Sequence, residues 1–113
     1  MTEPSESVVS SAAAEWRPTK VPGVSVKVLR NDKETGESSA LVQFAPGTRF
    51  PAHDHPGGEE VFVVEGTVQI GRHRLSAGDY LYTPPHGKHA ASSEDGCVFL
   101  VTLPKPVVFL KRS

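Results

Sequence analysis

Three observations predict an all-β fold, closed into a small barrel or jelly roll. From Trp16 onward, short runs rich in Val, Ile, Phe and Tyr are separated by Gly, Pro and Asp at intervals of about 8 to 12 residues, the spacing of a sandwich or barrel. Val24-Ser25-Val26-Lys27-Val28 places valine at every second position, as a strand with one buried face requires. Ten glycines and ten prolines leave no window of helical periodicity long enough for a stable helix, and Ser10 to Glu15 is the one weak candidate. A meander of about eight short strands must hide its edges, and closure is the usual means.

Taken in order, residues 1–15 are mostly Ser, Ala, Glu and Thr with two valines, too little apolar surface to offset ordering. They are expected to form a disordered or loosely docked tail ahead of a single domain over 16–113. Trp16, with Arg17 and Pro18, is expected to dock the start of that domain. Strand runs follow at Val24 to Leu29, Ala40 to Phe44, Val61 to Val64, Thr67 to Ile70, Tyr80 to Thr83, Val98 to Thr102 and Val107 to Leu110. Glu65-Gly66 predicts a tight hairpin, with Gly66 supplying a positive φ. Gly71-Arg72 and Ala77-Gly78-Asp79 mark two further reversals. Pro84-Pro85 cannot donate ladder hydrogen bonds and forces a loop before His89.

The 113 residues fit one domain. Twelve basic against thirteen acidic side chains give a formal charge of −1, and the one basic run is the terminal pair Lys111-Arg112. Electrostatic capture of nucleic acid or an anionic membrane gets no support. No apolar stretch approaches the roughly 18 residues of a membrane span, and the start lacks the pattern of a secretory signal, so a cytoplasmic protein is expected. The single cysteine, Cys97, excludes an internal disulfide and any multi-cysteine zinc site. Stability must come from packing, a partner subunit or a metal held by other ligands. A homodimer is expected, because so small a barrel has little core and runs such as Val107 to Leu110 would otherwise stay exposed.

Five histidines direct attention to metal binding. His53 and His55, at i and i+2 in an extended segment, point to one face, so both imidazoles can reach one ion. Pro56-Gly57-Gly58 then turns the chain, and an acidic residue follows at the head of a strand that can lie beside the first, adding a hard oxygen ligand. Glu59 and Glu60 must face opposite sides of that strand. Apolarity does not choose between them, since Glu59 shares parity with Val61 and Val63 and Glu60 with Phe62 and Val64.

The segment Gly47, five residues, His53, one, His55, three, Glu59, six, Gly66 resembles the first signature of the cupin superfamily. Gly78, five residues, Pro84 and then His89 five positions later resembles the second. His86 stands where the family has glycine, with Gly87 one step later, and Ser93 replaces the closing asparagine. The resemblance implies a cupin-type small β-barrel with His53, His55, Glu59 and His89 as ligands of one divalent metal ion per chain. The six-residue gap to Gly66 selects Glu59 over Glu60. The ion implied for an enzyme is iron, with zinc, manganese, nickel or copper as the other choices.

Within the superfamily, the run Phe50 to Gly66 most resembles the cupin domain of zinc-dependent anti-sigma factors and a group of small non-haem iron dioxygenases that cleave carbon–carbon bonds in diketones and related aryl ketones. The anti-sigma factors carry a helical zinc-binding domain ahead of the cupin, where this chain has a short polar tail, so direct sigma-factor inhibition is not expected. Two function classes follow from the resemblance: a metal-dependent dioxygenase acting on a small oxygenated molecule such as a diketone or phenolic compound, or a non-catalytic zinc-binding sensor or ligand-binding module. Either takes a small molecule as partner, not nucleic acid or membrane.

The remaining candidates read as structural. His86 is expected to be a solvated turn residue, His73 an exposed hairpin residue between two arginines, and Cys97 a buried small hydrophobe. Arg49 is expected in a surface ion pair, the alternative being an anionic substrate at the barrel mouth. Tyr80 and Tyr82 share one strand face and are expected to pack. No general base stands out beyond the ligands, which weighs against isomerase or hydrolase chemistry.

Overall fold

The computed structural model describes residues 4–110; the first residues of the expected tail and the Lys111-Arg112 pair lie outside them. The regular structure among the described residues is entirely β: β1 (Arg17–Pro18), β2 (Val24–Asn31), β3 (Ser38–Phe44), β4 (Thr48–His55), β5 (Glu59–Ile70), β6 (His73–Ser76), β7 (Tyr80–Thr83), β8 (Gly87–Ser93), β9 (Cys97–Leu103) and β10 (Val108–Phe109). Every pairing is antiparallel, in the spatial order β1-β2-β3-β9-β5-β8-β4-β10, with β6 and β7 both paired to β5. The sheet curls into a half-barrel about β5. The first half of that strand is laddered to β9 and β7, and the second half to β8 and β6.

The hairpin expected at Glu65-Gly66 is not formed. Gly66 does take a positive φ of 77°, but inside one twelve-residue strand that passes from one half of the sheet to the other. A Cβ at Gly66 would overlap the Gly96 carbonyl oxygen, so the close approach of the β8–β9 connection requires glycine there. A register shift against β9 between Val63 and Glu65 accompanies the bend. It reverses the parity of β5: Glu59, Val61 and Val63 are buried before it, and Val68 and Ile70 after it.

The concave face holds the core, including Val24, Phe44, Val61, Val63, Val68, Ile70, Phe99 and Val101. Burial of each such side chain contributes about 1.5–3 kcal/mol. Phe44 sets its ring edge-on to Phe99 at 5.6 Å and stacks on Phe50 at 6.2 Å. The helical candidate near residue 10 is a single turn, in which the Ser10 carbonyl accepts from the Ala13 and Ala14 amides; so short a segment cannot sustain a helix alone. Lys27 ties that turn to β2 by donating to the Ser11 carbonyl, and its ammonium lies 4.7 Å above the half-buried Trp16 ring.

Cys97 is buried and His73 exposed, as the sequence suggested. Tyr80 and Tyr82 differ from expectation and are more than half exposed. They face Phe62 and Glu60 on the outer parity of β5, and the Tyr80 hydroxyl donates to Glu60 Oε1 at 2.6 Å.

Candidate metal centre

His53 and His55 occupy the end of β4 with their side chains on the concave face, both buried, while Asp54 between them turns the other way. His53 pairs across the ladder with His89 of β8. Residues directly opposite on antiparallel strands share a face, so a third imidazole joins the first two. This match depends on a bulge. Phe50 pairs with Ala91 and His53 with His89, so three steps on β4 oppose two on β8. Pro51, which cannot donate to a ladder, sits inside that bulge. Without the extra residue, Ala52 would face His89.

Glu59 enters from β5, opposite Thr83, and is 8% exposed, whereas Glu60 faces out. The turn that brings it back is fastened to His55, whose carbonyl accepts from the Gly58 and His86 amides at 2.9 and 2.7 Å. The four donor atoms of His53, His55, Glu59 and His89 all lie within 4.8 Å of one another. The Nε2 atoms of His55 and His89 are 2.9 Å apart, and Glu59 Oε1 is 3.5 and 3.4 Å from them.

This arrangement fits a divalent cation. Glu59 Oε1 and His55 Nδ1 are buried without any hydrogen-bond partner, a condition that generally costs about 1–3 kcal/mol per group. An ion at the point where the lone pairs converge would satisfy the carboxylate oxygen and relieve the imidazole confrontation. His53 is already set for ligation, because its Nδ1 donates to the Pro51 carbonyl at 2.8 Å and leaves the Nε2 lone pair free. Burial lowers the pKa of His53 below its usual value, against the opposing pull of that hydrogen bond. Burial likewise lowers His55 to about 4, with the Glu59 carboxylate working the other way. Both rings are therefore neutral near pH 7, the state that binds metal.

His86 lies outside the cluster. Its side chain is 70% exposed, with Nδ1 3.7 Å from Asp54 Oδ1. Its φ of 67° shows why the related position favours glycine. Arg49 forms no ion pair among the described residues, contrary to expectation: it is on β4 opposite Ser92, with no acidic residue in the groove beside it.

Beside the donors lies an apolar cavity of about 310 Å³ between the two halves of the sheet. Val61, Phe99 and Val101 form part of its wall, and His53, Glu59 and His89 present the metal-facing side. Phe50 and Phe109 close over His53, with ring centroids 4.8 and 6.2 Å from the imidazole. Sequence reasoning passed over both phenylalanines. Proline at position 51 was the available signal for the bulge that lets Phe50 and His53, three residues apart, share this face.

In sequence, the chain is 32% identical over 95 residues to the DNA damage-repair/toleration protein DRT102 of Arabidopsis thaliana, covering 78% of this chain and 29% of that protein. It is 25% identical over 77 residues to the acetylacetone-cleaving enzyme of Acinetobacter johnsonii, covering 68% of this chain and 50% of the enzyme. The chain thus spans half or less of the length of these two relatives. Its fold matches that of a proposed acetylacetone dioxygenase from Methylibium petroleiphilum PM1 with a TM-score of 0.91 at 22% identity, over 98% of this chain and 85% of that one. Residues 4–105 match the model of the ChrR cupin-like domain. The all-β half-barrel, the convergent His and Glu donors and this near-complete match together place the chain in the ChrR cupin-like domain family of the cupin superfamily.

Proposed function

We propose that this protein is an iron(II)-dependent dioxygenase that cleaves small diketones or related chelating carbonyl compounds. The observation that carries the reading is the opening of a three-histidine, one-glutamate donor set onto an apolar cavity large enough for a small organic molecule. Likeness to an acetylacetone-cleaving enzyme supports the substrate class. A divalent iron held by the four side chains would supply a Lewis acid and redox chemistry toward dioxygen.

The chain's own part is orientation and exclusion of water. His53, fixed by the Pro51 carbonyl, and His89 across the ladder hold one side of the centre. Glu59 is the one anionic ligand and offsets part of the charge of a divalent cation. Phe50 and the apolar wall offer an entering ligand no polar partner beside the centre, so its carbonyl end is the end directed there. Water is disfavoured along the same wall, which protects reactive species.

The test is oxygen uptake by anaerobically purified, iron-loaded protein given acetylacetone and aryl-substituted diketones. Oxygen consumption in step with loss of the diketone supports the reading. Four protein ligands also suffice for a closed tetrahedral zinc site. Tight zinc retention, no diketone-dependent absorption band after exchange to iron, and unfolding on chelation would assign the centre to a structural or sensing module.

A further inference from the structure

Resting on this reading of the cavity, we infer that the ligand carries, beyond its chelating carbonyls, a hydrocarbon arm of about five or six carbons that lies along β9 between Leu103 and Phe99. The metal donors sit at one end of the cavity in both halves of the sheet. Thr102 pairs with Glu60, which sets Leu103 beside Glu59 on the inward parity. Leu103, Val101 and Phe99 then follow one another along the same face of β9, and all three line the cavity. In the other half, Phe50, Ala91 and Ile70 form a cross-strand row next to the His53–His89 pair on its inward side, and they line the cavity too. Phe44 closes the far end: it is 3% exposed, edge-on to Phe99 at 5.6 Å and stacked on Phe50 at 6.2 Å.

Four residues separate Leu103 from Phe99, about 13 Å of strand at roughly 3.3 Å each. A pair of carbonyls at the donors occupies only the Leu103 end of that length and leaves Val101 and Phe99 without a ligand to pack on. Volume gives the same answer. An apolar cavity of about 150 Å³ accommodates benzene, and this one is about 310 Å³. At that ratio it has room for about 12 non-hydrogen atoms, against about seven in acetylacetone. The polar lining residues away from the donors, Thr19 and Lys20, belong to the β1–β2 connection and not to the β9 path. The group such a path favours is hydrocarbon, since each methylene it buries strengthens binding about three- to fourfold.

Two series of probes separate this inference from the functional proposal, both read by calorimetry with iron-loaded protein under anaerobic conditions. The first is acetylacetone, heptane-2,4-dione, decane-2,4-dione and dodecane-2,4-dione, whose chelating heads are alike; the second is 1-butanol and 1-octanol, which cannot chelate. Affinity is expected to rise about three- to fourfold per added methylene as far as decane-2,4-dione and to stop rising at dodecane-2,4-dione. Octanol should outbind butanol by a similar factor per methylene. Val101→Phe, which fills the path, should lower the ratio of decane-2,4-dione to acetylacetone affinity by about tenfold or more, and Phe99→Leu, which deepens the far end, should produce a further gain at dodecane-2,4-dione. Thermal melts establish that each variant is folded, and either one alone decides the point. If octanol outbinds butanol and Val101→Phe abolishes the difference, but no diketone chelates or reacts, the arm site stands and the dioxygenase reading falls. If the diketones bind and react but affinity is flat with length, or the length dependence survives unchanged in the variants, the inference falls alone. A rise that continues through dodecane-2,4-dione in the parent protein overturns it as well.

Discussion

The Nε2 atoms of His55 and His89 face each other at 2.9 Å although their residues are 34 positions apart on different strands. Two ring nitrogens so placed have room for at most one proton between them, and a cation between them and Glu59 would use both lone pairs. Metal affinity should therefore collapse, by a hundredfold or more in order of magnitude, in Glu59→Gln and His89→Ala. It should hold within about twofold in Glu60→Gln and His86→Ala, whose side chains face out. Metal titration with a competing chelator measures this. Equal losses at Glu59 and Glu60 would contradict the register of β5.

Protonation should destabilise the metal-free protein over a defined range. The folded state holds His55 near pKa 4, against 6.5 for the free side chain, because of burial. Between those values the unfolded chain binds more protons than the folded one, so stability is fully present above pH 6.5 and is lost as pH falls toward 4. His53 shifts in the same direction. Thermal melts of chelated protein across this range should show the decline, and His55→Gln should flatten it. A profile unchanged in that variant would assign the effect to other groups.

His86 occupies left-handed backbone with φ 67°. A β-branched residue tolerates that region poorly, so His86→Val should lose about 1–2 kcal/mol, while His86→Gly should match or exceed the parent. The contact to Asp54 lost in both variants is long, at 3.7 Å, with the imidazole 70% exposed, and is worth little. Denaturant midpoints rank the three proteins, and a valine variant as stable as the parent would show that the loop relaxes freely.

Gly66 is where β5 passes between the two halves of the sheet. Gly66→Ala should cost at least about 2 kcal/mol, since positive φ and overlap with the Gly96 carbonyl act together. Gly78→Ala meets nothing within 4 Å and carries the φ penalty alone, so its loss should be smaller. Urea unfolding of the two variants compares them directly.

Self-association remains a proposal with a simple test. On the outer face, Tyr80, Phe62, Leu100 and Leu41 form one cross-strand row, with Phe62 and Tyr80 about half exposed. A second copy presenting the same row would cover it isologously. Light scattering should give about twice 12.1 kDa at micromolar concentration, and Phe62→Glu should restore the monomer mass. A parent protein of monomer mass would remove the dimer.

Periodicity alone determined the all-β class and the shared face of His53 and His55, because side-chain direction in an extended segment depends on neighbours in sequence. The reversals at Gly71-Arg72 and Ala77-Gly78 were legible for the same local reason. The strands β6 and β8 were not: His73–Ser76 and Gly87–Ser93 are mostly polar and carry too little apolar alternation to register. Glu65-Gly66 carried the local signal of a turn, yet the chain runs straight through it, because its two flanks find different ladder partners and Gly66 is needed for clearance from Gly96. The choice of Glu59 over Glu60 needed the fold as well, since Val61 and Val63 went inward while Phe62 and Val64 stayed outside. The bulge at Pro51 and Ala52 decided that His53, and not Ala52, faces His89. Each of these outcomes depends on which distant strand supplies the hydrogen bonds, and that pairing is settled only when the sheet closes on its core.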